Sequence, residues 1–175
     1  MINLSYRFDQ DSSSLEICGI PDVSNGDSVD TIGILSFWKL KIIGSPLLEG
    51  DKEHLDNMMQ AILQYSRLYI SGIRKSFISK RKIVKISPFG NSHKLLLKST
   101  KKGVSPLEII LDDSELSDLT RCLDRLIFDA RCNIKWDIYQ EKPFSKKYII
   151  ANSSSFKNKS NFIYALIVFI ISSCL

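Results

Sequence analysis

The chain has 175 residues, 44% hydrophobic and 25% charged, and its 24 Lys and Arg against 19 Asp and Glu leave a net charge of +5. That balance excludes a disordered polyelectrolyte and suits one folded domain with an appendage. The positive excess is too small to name nucleic acid as the partner, because lysines that face water or an acidic lipid surface give the same total.

The opening residues MINLSYRFDQ have neither a basic run nor an apolar stretch, so no cleaved signal is expected. Leu4, Tyr6 and Phe8 alternate with Ser5 and Arg7, and after the polar turn DQDSSS the alternation resumes at Leu15, Ile17 and Gly19, which predicts a β-hairpin. A third strand is expected from Ile34 to Ile43, where β-branched and aromatic residues crowd before Gly44 and Pro46. Asp51 is then a helix N-cap. Leu55, Met58, Met59, Ile62, Tyr65, Tyr69 and Ile73 follow at three- and four-residue steps, so a helix over 52–71 has one apolar face and Gly72 ends it.

Beyond the connector RKSFISKRK come three more strand signals, KIVKIS, HKLLLKS and PLEIIL, separated by the turns PFGNS and TKKGVSP. A second amphipathic helix follows, with Asp112 and Glu115 at capping-box spacing and Leu116, Leu119, Leu123, Leu126 and Ile127 on one face. Both halves therefore read strand, strand, strand, helix. The expected fold class is α+β, a mainly antiparallel sheet with two amphipathic helices, a duplicated strand-strand-strand-helix unit and a C-terminal hydrophobic helix. Residues 1–140 form the domain. Residues 141–160, rich in Ser, Lys and Asn without a sustained period, read as a basic polar linker, and 161–175 as a hydrophobic segment.

That last segment is apolar on every side: Phe162, Ile163, Tyr164, Leu166, Ile167, Val168, Phe169, Ile170 and Ile171 leave no polar stripe. At about 1.5 Å per residue, Phe162 to Leu175 reaches roughly 21 Å against a hydrocarbon core of about 30 Å, a short span. Lys142, Lys146, Lys147, Lys157 and Lys159 precede it and no cation follows, which by the positive-inside rule puts the domain on the cytoplasmic side of a membrane with the C-terminus inserted. Docking of this segment on the domain itself is the alternative.

No enzyme is expected; one with unannounced catalytic residues is the third reading, after a binding module and a nucleic-acid binder. The nucleotide-loop, zinc-protease and serine-hydrolase spacings are all missing, His54 sits just after a helix cap, and His93 lies near a turn. Asp112 and Asp113 are explained by a helix start, where negative charge meets free N–H groups. Asp118 with Arg121, and Arg125 with Asp129, read as weak pairs on a solvated face, and Met58, Met59, Tyr65 and Tyr69 as core filler. Cys18, Cys122, Cys132 and Cys174 are too scattered for zinc and read as small buried groups in a reducing compartment; no metal or cofactor is implied. The one concentrated charge feature is Arg74, Lys75, Lys80, Arg81, Lys82 and Lys85, with Phe77 and Ile78 among them. It reads as a solvated connector, as a contact for anionic lipid or a partner protein, or, ranked last, as a contact for single-stranded nucleic acid. A duplicated strand-rich unit closed by a helix is also the arrangement of Whirly-like and PUR-like single-strand binders.

The stretches YRFDQ, LEICGIPD, ILSFWKLKIIGSPLLEGDKEHLDNMMQAIL and LDDSELSDLTRCLDRL, within residues 1–140, resemble a cyanobacterial family known as domain of unknown function 4335. Those stretches hold no catalytic motif, so the resemblance transfers no active-site residue. It implies a photosynthetic-cell setting, a thylakoid or plasma membrane with the domain facing the cytoplasm. The functional expectation is a membrane-anchored, non-enzymatic binding or assembly module with lipid and a membrane-associated protein as partners.

Overall fold

The computed structural model describes residues 3–99, 103–137 and 144–152. The expected anchor from Phe162 to Leu175 lies outside the described residues, as does the 153–160 part of the expected linker; among the described residues no helix is long and apolar enough to cross a membrane.

Four strands precede each of the two main helices. The first half runs β1 (Leu4–Asp9), β2 (Ser13–Ile20), β3 (Ile34–Ile42), β4 (Leu48–Gly50) and α1 (Lys52–Ile70). The second runs β5 (Phe77–Ile78), β6 (Val84–Phe89), β7 (Ser92–Leu97), β8 (Leu107–Leu111) and α2 (Asp113–Phe128). Each half makes its own four-stranded antiparallel sheet in sequence order, so the α+β expectation holds and the repeating unit has four strands where three were predicted. The additions, β4 and β5, are three and two residues long, too short to display an alternation.

The strand registers of the two halves correspond. Phe8, Leu15, Leu40 and Leu48 face one another across β1 to β4, and Phe77, Ile86, Leu95 and Ile109 do so across β5 to β8. These inward side chains meet the apolar faces of the helices in one continuous core that includes Leu55, Met59, Ile62, Leu119, Cys122 and Leu123. The halves are interlocked: α1 packs on β5 and β6 as well as β3 and β4, α2 packs on β1 and β2 as well as β7 and β8, and the helices touch each other. Both outer sheet faces are thereby left to solvent or to partners.

Local chemistry sets the boundaries. Asp51 caps α1 by accepting from the His54 N–H at 3.0 Å, and Gly72 in the left-handed region (φ 75°) ends it while the Ile73 N–H returns to the Leu68 carbonyl. Asp112 and Glu115 complete the predicted capping box. At the bulge where β3 passes Ser36 between the Cys18 and Gly19 pairings, Gly19 lets the chain from Ile32 to Ile34 approach; an added Cβ would lie 2.3 Å from the Ile34 carbonyl oxygen.

Two expectations fail on packing. Asp118 is buried and accepts from the Ser12 N–H and hydroxyl at 3.0 and 2.8 Å, so it ties α2 to the β1–β2 turn and makes no pair with Arg121. Arg125 donates to the Asp9 carbonyl, leaving Asp129 to Arg131. Within the expected linker, a short helix α3 (Lys146–Asn152) forms, and just before it the Phe144 ring lies under the Arg67 guanidinium at 5.1 Å.

Candidate functional site

The two outward sheet faces occupy equivalent places in the fold and carry different chemistry. On the first sheet, Arg7, Glu16, Lys39 and Glu49 lie opposite one another across the four strands, so charge alternates in sign and neutralises itself. A row of that kind is at home in water, and beside it Phe37, 39% exposed, lies under the Lys39 ammonium at 5.5 Å. On the second sheet, Ile78, Lys85, Leu96 and Glu108 make one row and Ser87, Lys94 and Ile110 the next, with Phe89 beyond. Ile78, Phe89 and Ile110 are 48%, 52% and 47% exposed. The Lys94 ammonium sits 3.1 Å from Glu108 and 4.8 Å over the Phe89 ring, whereas Lys85 has no acidic partner among the described residues.

The basic segment frames this face instead of forming one patch. Strand β5 runs back along the α1 side, so its two ends separate the cations: Arg74 donates to the Gly90 carbonyl at 2.7 Å beside Phe89, with Lys75 next in the chain, while Lys80, Arg81 and Lys82 form the β5–β6 turn at the opposite end. That turn is anchored on α1, where Gln60 and Asn57 accept from the Lys80 and Arg81 N–H groups and Glu53 pairs with the Arg81 guanidinium. Lys82, which has no acidic partner among the described residues, closes the turn at a φ of 59°, a left-handed conformation normally left to glycine. Lys85 alone of the six projects from the sheet face itself.

A second constellation was not legible in the sequence. His93, on β7 and 1% exposed, is 2.7 Å from the Tyr65 hydroxyl through Nδ1 and 2.8 Å from Asp113 through Nε2, and Asp113 also accepts from Tyr69 at 2.9 Å. A neutral imidazole satisfies every group: Tyr65 donates to Nδ1, and Nε2–H donates to the carboxylate. The bonds from His93 and Tyr69 hold the Asp113 carboxyl below the usual carboxylate range, while burial pushes the Tyr65 phenol up to about 12. Asp113 reaches solvent, beside Arg74 and half-buried Tyr69. Tyr65 and Tyr69, expected as core filler, are thus also polar ties between α1, β7 and the start of α2. Aligning the two halves on their N-caps would have drawn attention to His93, because Trp38 stands at the same place in the first sheet: it faces Gly50 just before Asp51 as His93 faces Leu111 just before Asp112.

At the seam of the halves lies a cleft of about 380 Å³, lined by Trp38, Leu48, Met58, Val84 and Leu107 with His54 and Lys98. His54 is held there by the N-cap Asp51, which accepts at 2.7 Å from its ring. Among the described residues no group of three or more His, Cys, Asp or Glu is arranged to hold a metal ion. Cys18, Cys122 and Cys132 are buried and free, and burial pushes the thiols of Cys122 and Cys132 up to about 11 and about 12.

Two interlocked four-strand-plus-helix halves, one with a neutralised outer face and one with an apolar and cationic face, define the class of domain. The chain belongs to the family described as domain of unknown function 4335, whose model matches residues 6–175. No curated protein and no solved structure matches it.

Proposed function

We propose that the protein is a non-enzymatic binding or assembly module, held at a membrane by the hydrophobic segment Phe162–Leu175 with its folded domain on the cytoplasmic side. The observation that carries the binding role is the outward face of the second sheet, where Ile78, Phe89 and Ile110 stand half-exposed among lysines. A solvated sheet face gains nothing from three large apolar tips in neighbouring rows, and a partner that covers them removes that surface from water. The run of Lys142, Lys146, Lys147, Lys157 and Lys159 before the uncharged terminal segment supports the tether and its orientation. A thylakoid or plasma membrane is the setting, with a membrane-associated protein as the further partner.

Sodium carbonate washing of membranes tests the tether. The intact chain stays in the pellet and a chain lacking Phe162–Leu175 leaves it; release of both refutes the anchor. The second reading is a single-stranded nucleic-acid binder, supported by the duplicated strand-rich arrangement and by Phe89 beside Lys94. It ranks lower because three of the four apolar side chains on the face, Ile78, Leu96 and Ile110, are aliphatic and offer no stacking surface to a base. Salt-dependent retention of an oligonucleotide would raise it.

A further inference from the structure

We propose that the outward face of the second sheet lies directly on an anionic bilayer, with Phe89, Ile78, Leu96 and Ile110 meeting the acyl boundary and Lys82, Lys85 and Arg74 meeting lipid phosphates. The proposal rests on the membrane reading above and adds to it the surface and the ligand. The fold itself supplies the control. Where the first sheet carries Asp9, Ser14 and Lys41, with exposed Leu47 just before β4, the equivalent positions of the second carry Ile78, Lys85, Leu96 and Glu108. Where the first has Glu16, Lys39 and Glu49, the second has Ser87, Lys94 and Ile110. Across these positions three carboxylates become one and one apolar tip becomes three, and since these side chains point away from the core the change answers to something outside it.

Three further observations select lipid as the occupant. The apolar tips are spread over successive rows of the sheet, forming a shallow raft and no pocket, which fits a fluid planar surface. The cations stand at its margins, Lys82 at one end and Arg74 at the other, and Lys82 and Lys85 have no acidic partner among the described residues, so their charge is left for an external anion. Lys82 also keeps a long cation where its φ of 59° favours glycine, a local cost that makes sense if the ammonium is needed at that rim. Phosphate heads above an apolar layer reproduce this pattern of cationic margin and greasy centre.

The experiment uses the full chain reconstituted in vesicles, with a Phe89→Trp reporter read by quenching from lipids brominated on their acyl chains. In phosphatidylglycerol-containing vesicles the reporter is quenched; in phosphatidylcholine vesicles, or at high salt, the quenching falls. A Phe128→Trp reporter, at the exposed end of α2, stays unquenched. Adding Lys82→Gly and Lys85→Ser, the latter copying Ser14 of the first sheet, lowers the contact equilibrium about fivefold for each cation removed. Because Lys82→Gly relieves the backbone, loss of contact in that variant is not loss of fold. Absence of quenching in a chain that resists carbonate extraction overturns the lipid face and leaves the tether standing. Quenching that persists in a chain released by carbonate does the reverse. Contact unchanged by the two lysine substitutions overturns the proposal, as does a reporter that responds to oligonucleotide and not to vesicles.

Discussion

His93 has both ring nitrogens engaged inside the protein, to Tyr65 on one side and Asp113 on the other, and this double use governs what substitution does. Tyr65→Phe leaves Nδ1 buried without a donor, and His93→Leu leaves the Tyr65 hydroxyl without an acceptor, so each single change is expected to cost about 1–3 kcal/mol in urea denaturation. The double change removes both partners at once. Its cost should fall well short of the sum and approach that of one single variant, because an apolar pair of similar shape has nothing left unpaired. A double variant as unstable as the sum would mean that the imidazole has a packing role beyond its two bonds.

At the scale of elements, α2 is held to the first sheet by more than its apolar stripe. Asp118 receives two hydrogen bonds from Ser12 in the β1–β2 turn, one of them from the backbone. Asp118→Ala strips the half-buried Ser12 N–H and hydroxyl of their acceptor and should cost about 1–2 kcal/mol, against about 0.5–1 kcal/mol for Asp112→Ala at the exposed N-cap. Comparing the two denaturation midpoints checks the order, and equal costs would demote the tie to a surface contact. The contrast also explains what the sequence made legible. Both helices and their caps were readable because Asp51 and Asp112 precede apolar residues repeating at helical spacing over 19 and 16 residues. Asp118 was misread because periodicity places a residue on a face without saying what covers it. Strands β4 and β5 exist through their neighbours: β5 is two residues fixed by a turn that Asn57 and Gln60 hold from α1. For the candidate site, the cations and Phe77–Ile78 stood out as a run, yet their division between two ends of a sheet, and the company of Phe89, Leu96 and Ile110, required the strand register. His93 gave no signal because its partners come from segments 28 and 20 residues away.

For the molecule as a whole, the consequence of interlocking is that neither half is a domain. Each half has a sheet and a helix of its own and a complete set of caps, which in isolation reads as a small α+β unit. Yet α1 covers β5 and β6 of the other half, α2 covers β1 and β2, and the helices pack on each other, so separation exposes the inner face of each sheet and one flank of each helix. Residues such as Leu15, Leu40, Ile86 and Leu95, fully buried in the intact chain, lose cover that their own half does not replace, at about 25 cal/mol for each Å² of apolar surface returned to water. A fragment of that size has little stability to spare. Fragments 1–75 and 76–152 are therefore expected to be unfolded or self-associated when made alone, and to recover a cooperative thermal transition and a monomer-sized elution volume when mixed or co-expressed. Self-association of fragment 1–75 into a dimer would itself follow from the fold, because a second copy can supply the helix that α2 normally supplies through an equivalent register. A fragment that unfolds cooperatively as a monomer would show that the shared core is a contact between two finished domains, and the outward face of the second sheet would then belong to a unit able to act without the first.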